Sequence, residues 1–395
     1  MISQDMMRLG KQSSVIRAIS EYGAKRKREI GAENVFDFSL GNPSIPAPDS
    51  VRRAIGRLLE GADPCLLHGY TSSAGDMTVR QSIADFIREK HGFEADPSLI
   101  YMTCGAAASL TTAFHALLNP GDEVVVPAPF FPEYRVFTEK AGGVLVPALC
   151  KQISFQLDLD AISRAITRKT KVLLLNSPNN PTGAVYTEES VKALAALLRE
   201  KEKEYGSEIY LLSDEPYREL YYGEGALPYL PLYYDRTLVA YSYSKSLSLP
   251  GERIGYLLVS PRQENAGDVF AAVCGAGRSL GFVCAPSLFQ RVIRETLGET
   301  SDVEAYRENR DLLSGALTRM GYVVTPPEGA FYLFVKSPEE DAAAFAEKAK
   351  KYEILVVPSD SFGVPGYVRI AYCVSRETIL GSLPGFRELM KEYEK

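Results

Sequence analysis

Tryptophan is absent from this chain of 395 residues, and histidine occurs only three times. The six cysteines (Cys65, Cys104, Cys150, Cys274, Cys284 and Cys373) form no Cys-x-x-Cys pair. Without paired thiols or clustered imidazoles, the common zinc arrangements are excluded. Cysteines scattered through apolar stretches are expected instead as free buried thiols in a reducing compartment. No apolar run approaches the ~20 residues of a membrane span, and residues 1–20 lack the apolar core of a secretory signal. A soluble cytoplasmic protein is the expectation. Positive charge is also in deficit: 44 Lys and Arg against 50 Asp and Glu leave a net charge of −6. That balance argues against general polyanion binding. The basic run Lys25-Arg26-Lys27-Arg28 is flanked by Val15, Ile16, Ile19 and Tyr22 at helical spacing, so it reads as a solvated helix face.

What remains is an ordinary globular composition, long enough for one large and one small domain. Seven short, mostly continuous apolar runs read as strands: Leu99–Thr103, Glu123–Pro127, Val144–Pro147, Val172–Asn176, Ile209–Ser213, Leu238–Ser242 and Ile254–Val259. Helical patterns separate them, including Ala106–Leu118 and Glu188–Tyr205, the latter opened by Thr187 as N-cap. Continuous apolar strands suit a sheet covered on both faces, and the alternation predicts a doubly wound α/β core. After about Ala285 a long helical stretch, Phe289–Met320, leads into shorter strands near Tyr332–Val335, Ile354–Val357 and Tyr367–Ala371, the pattern of a smaller α+β domain. The expected organisation is a large domain over 47–285 and a small one over 286–395, with residues 1–46 packing against the small one. Gly275-x-Gly277 lacks both a preceding strand and the third glycine of a dinucleotide motif, and is discounted.

Lys245 ends a strand within Ser242-Tyr243-Ser244-Lys245, eight residues before Arg253. A lysine amine is a nucleophile when burial and neighbouring cations lower its pKa. Two serine hydroxyls and an arginine beside it are the parts of a phosphate cradle, and the combination describes a pyridoxal 5′-phosphate (PLP) site. A surface lysine on a polar loop is the plain alternative. Asp214 and Tyr217 lie at the carboxyl end of another strand, where ligands of such folds bind; the alternative is an acidic turn beside a half-buried tyrosine. Asn179-Asn180-Pro181-Thr182-Gly183 is a turn by composition, and the Asn180 amide is a candidate donor. Gly105, Ala106 and Ala107 open a helix, where a phosphate meets backbone N–H groups and the helix dipole.

Taken in order, these segments resemble the class I/II aminotransferase family of fold-type I PLP enzymes, close to the aspartate aminotransferases. The likeness runs from about Asp37 to Tyr372. It includes Gly41-Asn42-Pro43, Tyr70 with Gly75, Pro129-Phe130-Phe131-Pro132, Asp214-Glu215-Pro216-Tyr217 and Tyr367-Val368-Arg369. It implies a fold with a mostly parallel seven-stranded sheet plus a smaller α+β domain. It also implies Lys245 as Schiff-base lysine and proton shuttle, Asp214 on the ring nitrogen, and Tyr217 and Asn180 on the ring's phenolic oxygen, with Phe131 stacked on its face. Ser242, Ser244, Arg253 and the N–H groups after Gly105 would hold the phosphate. Arg369 would clamp the substrate α-carboxylate beside Asn180 and Gly41. Tyr70 would reach the phosphate of a neighbouring subunit, which implies a homodimer.

The resemblance also implies a PLP-dependent transaminase, with 2-oxoglutarate as acceptor in a ping-pong cycle. Some aspartate-specific relatives carry a lysine where Ala107 stands here. Arg278, eight residues before Pro286, is the candidate for a distal substrate carboxylate, reaching in from the partner subunit. An aspartate-type donor is favoured, with alanine or aromatic donors as alternatives. A C–S β-lyase is a further alternative, because the site and not the fold decides the reaction.

Overall fold

The computed structural model describes residues 2–11 and 14–394. A short strand β1 (Phe36–Asp37) precedes the main sheet, which contains β2 (Ile100–Thr103), β3 (Glu123–Ala128), β4 (Val144–Leu149), β5 (Thr170–Asn176), β6 (Tyr210–Glu215), β7 (Thr237–Ser242) and β8 (Gly255–Val259). Their order across the sheet is β2-β8-β7-β6-β5-β3-β4. Neighbours are parallel from β7 to β4, while β8 runs antiparallel to both β2 and β7. All seven runs read from the sequence are strands of this sheet.

Their continuous apolarity has the expected cause. Val172 and Leu174 of β5 pack to one face with Leu110 and Phe114 of helix Ala106–Leu117 and Val273 of helix Ala266–Leu280. Leu173 and Leu175 pack to the other, with Val191, Leu194 and Leu198 of helix Glu188–Tyr205. Successive strand residues face opposite sides, so a sheet covered twice needs apolar residues at every position. Each fully buried Val or Leu contributes about 1.5–3 kcal/mol. Thr187 caps its helix as expected, its side chain accepting from the Ser190 N–H.

The second unit carries β9 (Val323–Val324), β10 (Tyr332–Lys336), β11 (Ile354–Leu355), β12 (Val357–Pro358) and β13 (Tyr367–Ala371). An antiparallel sheet of order β12-β13-β10-β9 packs on helices Val303–Arg319 and Arg376–Lys391, while β11 pairs in parallel with β1. The helix Val15–Ile30 docks on this unit through Ile19, which is buried with Leu355, Val357 and Phe362.

Three expectations need correction. Phe289–Met320 is two helices, Ser287–Glu295 and Val303–Arg319. Gly298 takes φ +82° between them, and Asp302 starts the second by accepting from the Ala305 N–H. The first of the two packs on helices Asp49–Gly61 and Met77–His91, so the element just past the expected boundary at Ala285 sits with the large unit. The basic run is not wholly solvated: Arg26 pairs with Glu353 at 2.6 Å and Lys27 with Asp37 at 3.1 Å, both across to the β1–β11 region. Gly275 and Gly277 lie inside helix Ala266–Leu280, where a Cβ on Gly277 would run into the Tyr101 ring.

Candidate active site

The parallel strands end on a single cavity of about 510 Å³. β5 delivers Asn176, β6 delivers Asp214, and β7 delivers Ser242. The reversed strand β8 supplies a further residue. Because it runs opposite to β7, its first residue, Gly255, pairs with Ser242, and Arg253 just before it arrives at the same edge. Arg253 takes φ +52°, an uncommon conformation for a side-chain-bearing residue. Its Nη1 donates to Ser244 Oγ at 3.3 Å and to the Pro250 carbonyl at 3.0 Å. Ser242 Oγ donates to Ser244 Oγ at 2.8 Å, so the two hydroxyls and the guanidinium form one connected patch.

Gly105 faces that patch. It precedes helix Ala106–Leu117 with φ +87°, and no side chain caps the helix's first turn. A Cβ on Gly105 would lie 2.9 Å from Arg253 Nη2. Glycine is therefore required twice, by backbone conformation and by close approach. Ala106 and Ala107 line the cavity beside Arg253. The small residues, the helix N-terminus and the guanidinium make a site for a dianion.

Lys245 is half-buried, and its Nζ donates to the Gly41 carbonyl at 2.6 Å. The amine lies 5.2 Å from the Phe331 ring centroid. Burial pulls its pKa down to about 8, with Arg253 and Arg369 acting in the same direction. Asp214 is 4 % exposed. Burial pushes its carboxyl up to about 7, against the opposing hydrogen bond from Tyr134, whose hydroxyl donates to Oδ2 at 2.5 Å. Asn176 Nδ2 donates to the Asp214 carbonyl at 2.9 Å and its Oδ1 accepts from the Asn180 N–H at 2.7 Å, tying the ends of β5 and β6 together.

Arg369, on β13 of the second unit, reaches across. Its Nη1 donates to Asn180 Oδ1 at 3.1 Å and its Nη2 to the Ser39 carbonyl at 2.5 Å. The guanidinium lies between the rings of Tyr332 and Phe362, 4.5 and 5.2 Å from their centroids. Tyr217 and Tyr332 share a hydrogen bond of 2.9 Å. Burial raises both phenols, Tyr217 well above the usual range and Tyr332 to about 12, so both remain protonated donors at neutral pH.

The cavity thus brings together Gly41, Ala106, Ala107, Phe131, Asn180, Asp214, Tyr217, Ser242, Ser244, Lys245, Arg253 and Arg369. Two expected residues lie elsewhere. Tyr70 is 97 % exposed on a loop outside the cavity, and Arg278 is exposed in the last turn of its helix. Within one chain neither reaches the site. Sequence reasoning missed Tyr134, Asn176 and Tyr332. Asn176 had a signal, a polar residue closing an apolar strand. Tyr134 had a weaker one, three residues after Phe131.

PLP fits these residues on an observation independent of resemblance: Asp214 Oδ1 is buried and has no hydrogen-bond partner. An acceptor in that state is costly unless a ligand donates to it, and a protonated ring nitrogen is such a donor. The dianion patch suits the phosphate. Among the described residues no cluster of metal-ligating side chains occurs, and no helix is long and apolar enough to cross a membrane.

The family model for aminotransferase class I and II matches residues 33–380. A crystal structure of an aminotransferase from Eubacterium rectale superimposes with a TM-score of 0.98 at 51% identity, covering 100% of this chain and 99% of that one. Aspartate aminotransferase from Thermus thermophilus, solved with maleate, gives a TM-score of 0.87 at 30% identity over 98% of this chain and 100% of that one. A probable aspartate/prephenate aminotransferase of Aquifex aeolicus is 32% identical over 94% of each chain. With the family match spanning most of the chain, including Lys245, Asp214, Arg253 and Arg369, the chain belongs to the class I and II aminotransferases and is a PLP-dependent transaminase.

Proposed function

We propose that the protein moves the α-amino group of a dicarboxylic L-amino acid, aspartate foremost, to a 2-oxo acid, with 2-oxoglutarate as one acceptor, in a ping-pong cycle through one site. The observation that carries this reading is the convergence of Arg369 and Lys245 on one cavity. A buried guanidinium binds a carboxylate through two parallel hydrogen bonds and stays charged at any working pH. An amine with a pKa near 8 gives up and regains a proton readily at neutral pH. Together they hold an amino acid by its α-carboxylate and place a base within the same cavity as its Cα–H. The relative named for aspartate and prephenate, and the neighbour solved with a dicarboxylate, support the substrate class.

In this reading Ser242, Ser244, Arg253 and the first N–H groups of helix Ala106–Leu117 hold the cofactor phosphate. Asp214 accepts from the ring nitrogen, Phe131 covers a ring face, and Tyr217 and Asn180 donate to its phenolic oxygen. When bound, PLP supplies an electron sink for the pair left at Cα by deprotonation. Lys245 Nζ would take the proton from Cα and deliver it to the cofactor's C4′, the net shift that transamination needs. Arg369 fixes the carboxylate, and so selects which Cα bond lies open to Lys245. Tyr70 is proposed to reach the neighbouring site in a homodimer, its exposure here being what such a role needs. The unpaired state of all six cysteines supports a reducing, cytoplasmic setting.

The test uses PLP-loaded protein and single amino acids without any 2-oxo acid, followed by the visible absorbance of the bound cofactor. Conversion to the pyridoxamine form, with the oxo acid released, is the expected result, fastest with dicarboxylic donors. Pyruvate and ammonia released in place of that conversion would transfer the protein to the β-lyases. An alanine or aromatic winner would replace the donor class.

A further inference from the structure

Of the four cations lining the cavity, three have roles in the reading above: Lys245, Arg253 and Arg369. The fourth is Arg17, on the first turn of helix Val15–Ile30. It is exposed to the cavity mouth, and among the described residues no carboxylate lies within 4 Å of its guanidinium. Ser14 and Ser20, three residues to either side, line the cavity too, together with Ile16, so among the described residues Arg17 is the one charged group this helix turns to it.

Arg17 is also held in place. Ser14 Oγ accepts from the Arg17 N–H at 3.3 Å, fixing the start of the helix. Two residues on, Ile19 is buried with Leu355, Val357 and Phe362, and Phe362 is one of the rings flanking Arg369. Gly23 lies so close to Leu355 and Asp37 that a Cβ would approach their side chains to 2.7 and 2.8 Å. The Arg26–Glu353 and Lys27–Asp37 pairs complete the attachment. Arg17 and Arg369 are therefore mounted on one packed body, on different walls of one cavity. The cavity counts four cations against two carboxylates, Asp214 and Glu133. That excess suits a substrate with more than one anionic group.

We infer that Arg17 is the specificity-determining residue for the far end of the substrate, pairing with the second carboxylate of a dicarboxylic amino or 2-oxo acid whose α-carboxylate rests on Arg369. This rests on the substrate class proposed above. It assigns within a single chain a contact that Arg278, outside the cavity, would make only from a partner. It also accounts for a dicarboxylate site in which position 107 is alanine. Glu133 also lines the cavity and disfavours a second carboxylate placed near it.

The experiment measures kcat/KM for glutamate and for alanine in wild type, Arg17→Met, Arg17→Lys and Arg278→Ala, and maleate binding to each PLP-loaded protein by thermal shift. The expected result is a fall of about 10- to 100-fold in the glutamate-to-alanine ratio for Arg17→Met, the loss of one charge-assisted contact. Partial recovery in Arg17→Lys and a parallel weakening of maleate binding are expected with it. A dicarboxylate-preferring wild type whose ratio and maleate affinity survive in Arg17→Met would overturn the assignment while leaving the proposed function intact, and more firmly if Arg278→Ala abolishes the preference. A wild type that favours alanine, or a donor bearing a second ammonium, would overturn the substrate class itself.

Discussion

Removing the Tyr134 hydroxyl tests how the protein controls the charge on Asp214. Tyr134→Phe deletes a donor 2.5 Å from Oδ2 inside a fully buried site and changes little else in shape. A hydrogen bond to a charged group contributes about 1.5–3 kcal/mol, which corresponds to about one to two pH units. The bond favours the ionised carboxylate, so its loss raises the Asp214 pKa further above its present value of about 7. At pH 7.5 the ionised fraction then falls from about three-quarters to about a quarter or less. A protonated pyridine nitrogen needs that carboxylate, so PLP affinity should drop by about 3- to 25-fold at pH 7.5, by the same arithmetic. The loss should shrink as pH rises and both proteins become fully ionised. The assay is equilibrium binding of PLP to wild type and variant from pH 6.5 to 9.5. A dissociation-constant ratio near one at pH 7.5, or one independent of pH, would refute the reasoning.

Three further outcomes follow from the same geometry. Reductive trapping of an aldehyde on Lys245 in cofactor-free protein should speed up as pH rises through about 8, because the neutral amine is the reactive form; peptide mapping of the trapped adduct against pH checks the midpoint. Arg369→Lys should reduce amino-acid kcat/KM by about 10- to 100-fold, since a single ammonium cannot reproduce the fork and leaves Asn180 Oδ1 or the Ser39 carbonyl unpaired; steady-state kinetics should place most of the loss in KM. Gly105→Ala should cost about 1–2 kcal/mol of stability from its φ of +87° and displace Arg253; urea unfolding and inorganic-phosphate binding would both register it.

Much of the sheet was legible because doubly covered strands announce themselves as unbroken apolar runs, as Val172–Leu175 does. The residues that end those strands were legible as well, since Asp214 and Ser242 interrupt apolarity at the edge where ligands collect. What escaped was whatever depends on packing between distant segments. Tyr134 looks like any helix-start tyrosine until Asp214, eighty residues away, is brought to its hydroxyl. Tyr332 lies in an apolar strand pattern that gives no hint of Tyr217 or Arg369. The stretch Phe289–Met320 was read as one helix because both halves are helical in pattern, and the break at Gly298 is a single glycine whose φ of +82° the sequence does not show. Arg17 was invisible for a related reason: the first turn of a polar helix carries no sign of what it faces.

The reversed strand β8 has a consequence for how the anion site can fail. Gly255 pairs with Thr103 on one side and Ser242 on the other, and a Cβ there would meet the Tyr241 carbonyl at 2.3 Å and the Gly105 Cα at 3.1 Å. The two loops that would grip the phosphate are thus buttoned to a single backbone unit of the sheet. Their spacing is set by ladder hydrogen bonds, not by loop conformation. A one-residue slip of β8 would swing every one of its side chains to the opposite face and part Arg253 from Ser244 in the same movement. The grip on the cofactor cannot loosen gradually: it is kept or lost together with the register of the central sheet.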